Sequence, residues 1–533
     1  MMQKLISVVS ATALCLAVLL LVTGCSPVDI QKEPIKDNSN SLCVEIEQKG
    51  NEISLNVPEG ARIYYTIDGS EPTEKSLFYT GPFDIPKISV LTERDADMAI
   101  GHYHVHDGDV PRACAVRAVA IAADGTKSEI ATKTCFERND SITVLSFITD
   151  YANLLDYDTG ILVKGKIYDE WIQTESGKKT EEDKIYWQYE GNYTQKGRDW
   201  ERPVILEVYD GENEFQINAG IRVKGGMSRI YGQKSFNIYF RKEYGDKILE
   251  YDLFENGISE YKGLSLRNGG NTTETLKFKD AWIQGMLKGM DFSVQESKPA
   301  LLYINGEYWG IYSLQEKYDT TYFEEHYDVS DVVVIKEGEL DEGEEEDFAL
   351  YEDLLTFEDR DLTDEKTWKE FKDCVDIQSM ADYFAAQIYI GNYDLGMHKN
   401  FSIWRTREKG EGFGDGRWRF VLFDTEFSSS LYEEERTSAE YDHYGHIAEE
   451  FPLFTKAMEN DEFRELFRGS LQEVRERFAP DKVRETLQKE LQLWGPYMED
   501  YFVRFGKIGN GMDTSFVEDY FTKRYAMDII PIQ

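Results

Sequence analysis

The sequence predicts a multidomain chain in which a small all-β sandwich precedes a larger α+β domain with a helical C-terminal part. Between residues 43 and 137, short alternating runs are separated by turn signals such as Asp68-Gly69 and Asp124-Gly125, the pattern of a sandwich. From 138 to about 450, strand-like and helix-like stretches are mixed. Beyond about 450, aromatic-rich helical segments such as EFRELFRGSLQEVRERF take over. The chain has 533 residues, 41% hydrophobic and 13% aromatic, enough to bury a large core and too aromatic for a disordered polymer.

Charge narrows the partners. Against 59 Lys+Arg stand 100 Asp+Glu, a formal charge of −41. A nucleic-acid binder needs a basic footprint, and docking on anionic lipid needs a basic patch. The excess excludes both as general roles and suits cationic partners or divalent metals.

Residues 1–24 read as an export signal. Lys4 supplies the positive start and Leu5 to Val22 the apolar run, followed by Val22-Thr23-Gly24-Cys25. That last stretch resembles the bacterial lipobox. The resemblance implies that Cys25 becomes a lipidated first residue, which anchors an exported protein to the bacterial cell membrane at the cell surface or in a spore envelope. Residues 25–42 are polar and read as a tether. Cys43, Cys114 and Cys135 fall in one region, so a disulfide among them is expected in an exported chain, with its pairing open.

Within 43–137, the run IYYTIDGSEPTEKSLFYTGPFDI resembles the small β-sandwich at the C-terminus of chitobiase-type enzymes. Such modules accompany catalytic domains as spacers or carbohydrate-binding units, and the spacer role is the expectation here. His102, His104 and His106 alternate, so a strand would put them on one face. We read that face as solvated rather than metal-binding.

Residues 138–533 hold the candidate chemistry. Two alternating runs, Ile217–Lys224 and Ser235–Phe240, flank the loop Gly225-Gly226-Met227-Ser228-Arg229. Glycines there let backbone N–H groups approach a phosphate, and Lys234 opens the second run. Residues 276–290 have helical spacing. Leu301–Ile304 and Tyr308–Leu314 then form a hairpin about Asn305-Gly306, a strong two-residue turn. Glu316 and Asp319 end it. Further on, Asp394 sits in a turn after a helical stretch, Asn400 follows six residues later, and a strand at Trp418–Phe423 leads into Asp424. An Asp for the acceptor hydroxyl, an Asn for a divalent ion and a second Asp for the ions bridging phosphates is the order phosphoryl transfer requires. The six-residue gap and the triplet Thr425-Glu426-Phe427 after Asp424 set the chain apart from ordinary protein kinases.

Five blocks together resemble the CotH family, the spore-coat-protein-H kinases with an atypical, bilobal protein-kinase-like fold. They are Gly225–Arg229 with Gln233-Lys234-Ser235, Tyr303–Gly310, Gln315–Asp319, Gly391–Asp394 with Asn400-Phe401, and Phe423-Asp424. The resemblance implies ATP and Mg²⁺ or Mn²⁺, with γ-phosphoryl transfer to Ser or Thr of a protein, such as a spore-coat or envelope protein. It implies Lys234 as the phosphate-contacting lysine, Asp394 as the catalytic aspartate, and Asn400 and Asp424 as metal ligands. Gly225, Gly226, Ser228, Arg229 and Glu316 join the nucleotide site. Asp280 and Glu316 both match acidic positions that would pair with Lys234, and the choice stays open. The acidic run Asp341–Asp347 reads as a solvated loop, Cys374 as a helix-side or buried thiol, and His398 as a loop residue beside the site.

Two readings follow. One is a lipid-anchored phosphotransferase. The other is a non-catalytic surface, spore-envelope or adhesion scaffold, because fold does not fix function and ATP is scarce outside a membrane. The β-domain raises carbohydrate chemistry, but the sequence shows no supported acid pair for it.

Overall fold

The computed structural model describes residues 42–58, 60–100 and 108–527. Cys25, its leader and His102, His104 and His106 lie outside the described residues. A β-rich N-terminal region is followed by a mixed α/β domain with a helical end.

The sandwich has two sheets. One contains β1 (Glu45–Lys49), β2 (Glu52–Asn56) and β5 (Phe83–Asp84). The other has the order β4-β3-β6-β7, from Leu77–Phe78, Arg62–Thr66, Ala113–Ile121 and Ala131–Phe136. Alternation turns Ile53 and Leu55 inward to meet Ile63, Cys114 and Val116 across the layer, and Tyr65 stacks on Phe83 with ring centroids 5.1 Å apart. Cys114 and Cys135 are directly opposed on β6 and β7. The structure carries both as buried thiols and Cys43 as an exposed one, so the expected disulfide is not formed in it. Burial pushes the Cys114 and Cys135 thiols up to about 12.

Next comes a closed barrel, which no local pattern predicts. Its strands are β8 (Thr143–Ile148), β9 (Arg202–Asp210), β10 (Asn213–Lys224), β11 (Ser235–Tyr239), β14 (Gly263–Arg267), β15 (Ser297–Ile304) and β16 (Glu307–Glu316). They close in the order β10-β11-β14-β16-β15-β8-β9, and β8 runs parallel to β15. A two-stranded ladder, β12 (Leu249–Glu250) with β13 (Glu260–Tyr261), lies outside it. The inner face is apolar, with Phe147, Leu206, Ile221, Val223, Phe236 and Leu264 in one core. The hairpin turns at Asn305-Gly306 with φ of 50° and 82°, the left-handed pair a tight turn needs.

That turn also docks the sandwich. A Cβ on Gly306 would lie 2.8 Å from the Ala115 backbone N and 2.9 Å from the Ala113 carbonyl. Asn305 bonds the Thr149 backbone on both its N–H and its carbonyl, at 2.9 and 2.8 Å. The Glu307 carboxylate accepts from the backbone N–H groups of Leu91 and Thr92 at 2.8 and 2.7 Å. Arg504, 1% exposed, holds Asp95 through two bonds of 2.6 and 2.8 Å. Arg504→Met is therefore expected to destabilise the chain by about 3–5 kcal/mol, because it strands a buried carboxylate. Chemical unfolding measures this, and proteolysis should open the segment around residue 95 first.

The second lobe has a sheet ordered β18-β17-β19-β20, from Glu339–Glu342, Val332–Lys336, Ser402–Thr406 and Arg419–Phe420. The strand expected over Trp418–Phe423 is shorter, because Trp418 and Val421 bridge to Val375 and Ser293 instead. The helix Ile377–Ile390 runs through the core. Asp376 caps its start, and Gly391 ends it at φ 68°. The helices Asp461–Arg477, Pro480–Phe505 and Ser515–Ala526 complete the lobe, and Pro480–Phe505 also reaches the barrel, where Phe505 packs on Trp309. The acidic run is not simply a solvated loop. Asp341 and Glu342 lie in β18, and Asp347 is buried and gripped by Arg407 through two bonds of 2.7 Å.

Candidate active site

Alternation builds a polar wall on the outside of the barrel. Ile221 and Val223 point inward, so Arg222 and Lys224 point outward. Register carries this face across the sheet. Arg222 lies opposite Asn237, Asn237 opposite Ser265, and Ser265 opposite Gln315. Lys224 Nζ donates to Ser265 Oγ at 3.0 Å, and Ser265 Oγ donates to Asn237 Oδ1 at 2.8 Å. Arg267 ends β14 on the same face.

The segment after β20 faces this wall. Asp424 adopts a left-handed φ of 56°, as does Asn400, a conformation that Asp and Asn tolerate better than other side chains. The helix Lys279–Leu287 fixes the turn. Asp280 Oδ1 accepts from the Thr425 N–H and hydroxyl, both at 2.9 Å. Lys279 donates to the carbonyls of Glu426 and Ser428 at 3.1 and 2.5 Å. Arg267 Nη2 donates to Asp424 Oδ1 at 3.1 Å and to Glu426, while its Nε lies 3.8 Å from Asp280.

The second loop starts at Gly391. Asn400 Nδ2 donates to the Asp394 carbonyl at 3.1 Å and to its carboxylate at 3.3 Å. Lys399 pairs with the same carboxylate. The two loops are joined, since Tyr393 N–H donates to the Phe427 carbonyl at 3.3 Å and Ser429 N–H to the Ile390 carbonyl at 3.1 Å. From β17, Lys336 places its amine 5.1 Å over the Phe423 ring.

Electrostatics follow from this packing. Burial lowers the Lys224 amine to about 7, helped by the like charges of Arg267 and Lys336 and opposed by Asp280 and Asp424. The Asp424 side chain is 36% exposed. Burial there raises its pKa, yet Arg267 and Lys224 outweigh that and hold it at about 2. Glu426 goes the other way. Burial and the charges of Asp424 and Asp280 push it well above the usual carboxylate range, against Arg267. Cations therefore converge on a cleft floored by carboxylates, an arrangement suited to a polyanion carried with a metal ion.

Residues 221–526, more than half of the chain, match the family model described as CotH kinase protein. The chain belongs to the CotH kinase protein family. Residues 52–135 match a second model, Fn3 associated, which spans most of the sandwich. Among curated proteins none matches the chain.

The CotH domain divides the residues expected from the sequence into two groups. Asp394, Asn400 and Asp424 do come to adjoining loops, and Gly225 and Gly226 form an exposed loop directly after Lys224. A Cβ on Gly225, at φ 111°, would lie 2.4 Å from Ser228 Oγ, so Ser228 packs against this loop.

Lys234, Arg229 and Glu316 are committed elsewhere, which corrects their expected place in the nucleotide site. Lys234 is fully buried and donates to the carbonyls of Met98, Arg229 and Tyr231 at 2.8, 2.7 and 3.0 Å, with its amine 4.3 Å over the Tyr193 ring. Burial, with Lys164 and Arg229 nearby, lowers that amine well below its ordinary value. Arg229 is buried and donates to the Thr194 carbonyl. Glu316 bonds the Glu296 N–H at 2.9 Å and His326 at 2.8 Å. Neither Asp280 nor Glu316 pairs with Lys234; Asp280 serves Thr425 and faces Arg267. His398 contacts the Glu337 carbonyl at 3.2 Å. Cys374 is half-buried.

The residues that sequence reasoning missed are Lys224, Arg267, Lys336 and Glu426. Strand parity marks the first two, since Lys224 alternates with Ile221 and Val223, and Arg267 with Leu264 and Leu266. Lys336 and Glu426 reach the cleft through long-range pairing, which no local pattern carries.

The donor set fits a hard cation. Asp424 offers carboxylate oxygen, and Asn400, whose amide nitrogen serves Asp394, offers a carbonyl oxygen. Among the described residues no group of three or more His, Cys, Asp or Glu surrounds one point. A bound ion would complete its shell with phosphate oxygens and water, as Mg²⁺ does in kinases.

Proposed function

We propose that this CotH-family chain is an exported phosphotransferase, anchored by a lipid on Cys25, that passes the γ-phosphoryl of ATP to Ser or Thr of a spore-coat or envelope protein. The observation that supports it best is the convergence of Lys224, Arg267 and Lys336 on Asp424, beside the Asp394–Asn400 loop. Among the described residues no helix is long and apolar enough to cross a membrane. The sandwich serves as a spacer in this reading, with carbohydrate contact as its alternative role.

In this reading Asp394 accepts the hydroxyl proton of the acceptor side chain. Asn400 and Asp424 would hold Mg²⁺ or Mn²⁺, and the ion would supply positive charge against the phosphates of ATP. Lys224, rather than Lys234, contacts phosphate, and the exposed N–H groups of Gly225 and Gly226 lie next to it. Arg267 keeps Asp424 ionised, and Lys399 keeps the Asp394 carboxylate in place.

The test is labelling from γ-labelled ATP with Mg²⁺ or Mn²⁺ by the mature chain and by Asp424→Ala, read in the protein and in a Ser-rich acceptor. Label only in the native chain is the expected result. Equal label in both excludes Asp424. No label and no metal-dependent ATP binding makes the chain a non-catalytic assembly scaffold.

A pH dependence follows from Lys224. Its amine is charged below about 7 and neutral above in the free protein, so a phosphate ligand must supply the work of protonating it at higher pH. Nucleotide affinity is expected to fall as pH rises from 6 to 9, by up to about tenfold per unit. Lys224→Arg, always charged, should flatten the curve. Calorimetric titration across that range checks it.

A further inference from the structure

Glu426 stands outside the roles assigned so far, and its surroundings leave it incomplete. Its side chain is fully buried. Oε1 accepts from Arg267, while Oε2 is buried with no hydrogen-bond partner. The neighbouring Asp424 carboxylate shares one nitrogen, Arg267 Nη2, with it. With Arg267 spent on one oxygen of each carboxylate, the buried Glu426 Oε2 still needs a proton or a cation.

Arg267 does not fill that need. It engages Asp424 Oδ1 and Glu426 Oε1, which leaves Oδ2 and Oε2. Asp280, the third carboxylate near it, is already satisfied by Thr425, by Gln284 at 3.0 Å and by Gln315 at 3.3 Å. Position is fixed as well, because Lys279 holds the Glu426 carbonyl at 3.1 Å and the left-handed turn at Asp424 sets the two acidic residues on either side of Thr425.

We propose that Glu426 is a second carboxylate ligand of the divalent cation assigned to Asp424, which it engages through Oε2 while Arg267 stays on Oε1. This rests on the reading of Asp424 as a metal residue. It gives the site two carboxylates and an amide oxygen, a set that favours Mg²⁺ or Mn²⁺ over softer metals.

The test is Mn²⁺ binding by the mature chain, read from the electron paramagnetic resonance of free Mn²⁺, with and without a non-hydrolysable ATP analogue. Glu426→Gln is expected to weaken binding by roughly tenfold or more, and Asp424→Asn to remove it. Wild-type affinity in Glu426→Gln overturns the inference and leaves a shared proton between the two carboxyls. If Asp424→Asn also binds normally, or the native chain binds no Mn²⁺ in either condition, the metal reading of Asp424 falls with it. Thermal unfolding in chelator reports whether Glu426→Gln folds. If it does not, Glu426→Asp is read instead: its shorter carboxylate should bind Mn²⁺ more weakly, and unchanged affinity overturns the inference.

Discussion

Replacing Lys224 by Met is expected to abolish phosphoryl transfer and spare the fold, while replacing Lys234 by Met should collapse the fold. Lys224 makes one hydrogen bond, to Ser265, worth about 1 kcal/mol. Its proposed work is on the phosphate, where removing one aimed donor costs about 10²–10³-fold in rate. Lys234 satisfies three backbone carbonyls in the interior. Methionine would leave all three unpaired at about 1–3 kcal/mol each, a large share of a stability of about 5–15 kcal/mol. One of the three belongs to Met98, so the loss should also loosen the segment that carries Asp95. Thermal unfolding beside γ-label transfer separates the two lysines. A stable, inactive Lys234→Met would reverse their assignment.

Asp394→Asn and Asp424→Asn should both silence transfer, in distinguishable ways. Asn fits the left-handed turn at Asp424 and keeps an oxygen toward Arg267, so neither variant should unfold. Asp394→Asn removes the proposed proton acceptor, which general-base catalysis values at about 10²–10⁴-fold, and it should leave metal-dependent nucleotide binding near its native value. Asp424→Asn should lose that binding. Because Arg267 and Lys224 hold the Asp424 carboxyl at about 2, that carboxylate stays ionised from pH 4 upward, so Asp424 itself should add no acid limb to the activity profile above that. A profile that falls between pH 5 and 6 would place the controlling acid elsewhere. Label transfer paired with calorimetry gives both readings.

What the sequence discloses follows from how local each feature is. The Asn305-Gly306 hairpin is legible because turn chemistry resides in two residues. Asp394 and Asp424 are legible because each follows a patterned element, and Asn400 because of its spacing from Asp394. Lys234 misleads because two lysines flank the glycine loop and proximity to it favours neither. Strand parity separates them, since Lys234 falls in phase with the inward Phe236 and Ile238, and Glu316 with the inward Tyr312 and Leu314. The barrel's closure depends on β8 lying parallel to β15 across more than 150 residues, and Lys336, Glu426 and the docking of Asp95 on Arg504 likewise depend on partners far away in the chain.

The closed barrel also constrains how this protein can change through descent. With no free edge, a one-residue deletion within β10 cannot be absorbed by sliding the strand outward, and it would exchange every inward side chain for its outward neighbour. Lys224 would turn into the core and Val223 into the cleft. Variation on this wall must therefore arise by substitution, while insertions and deletions are confined to the connections between strands, where the Gly225-Gly226 loop and the long segment between β8 and β9 lie.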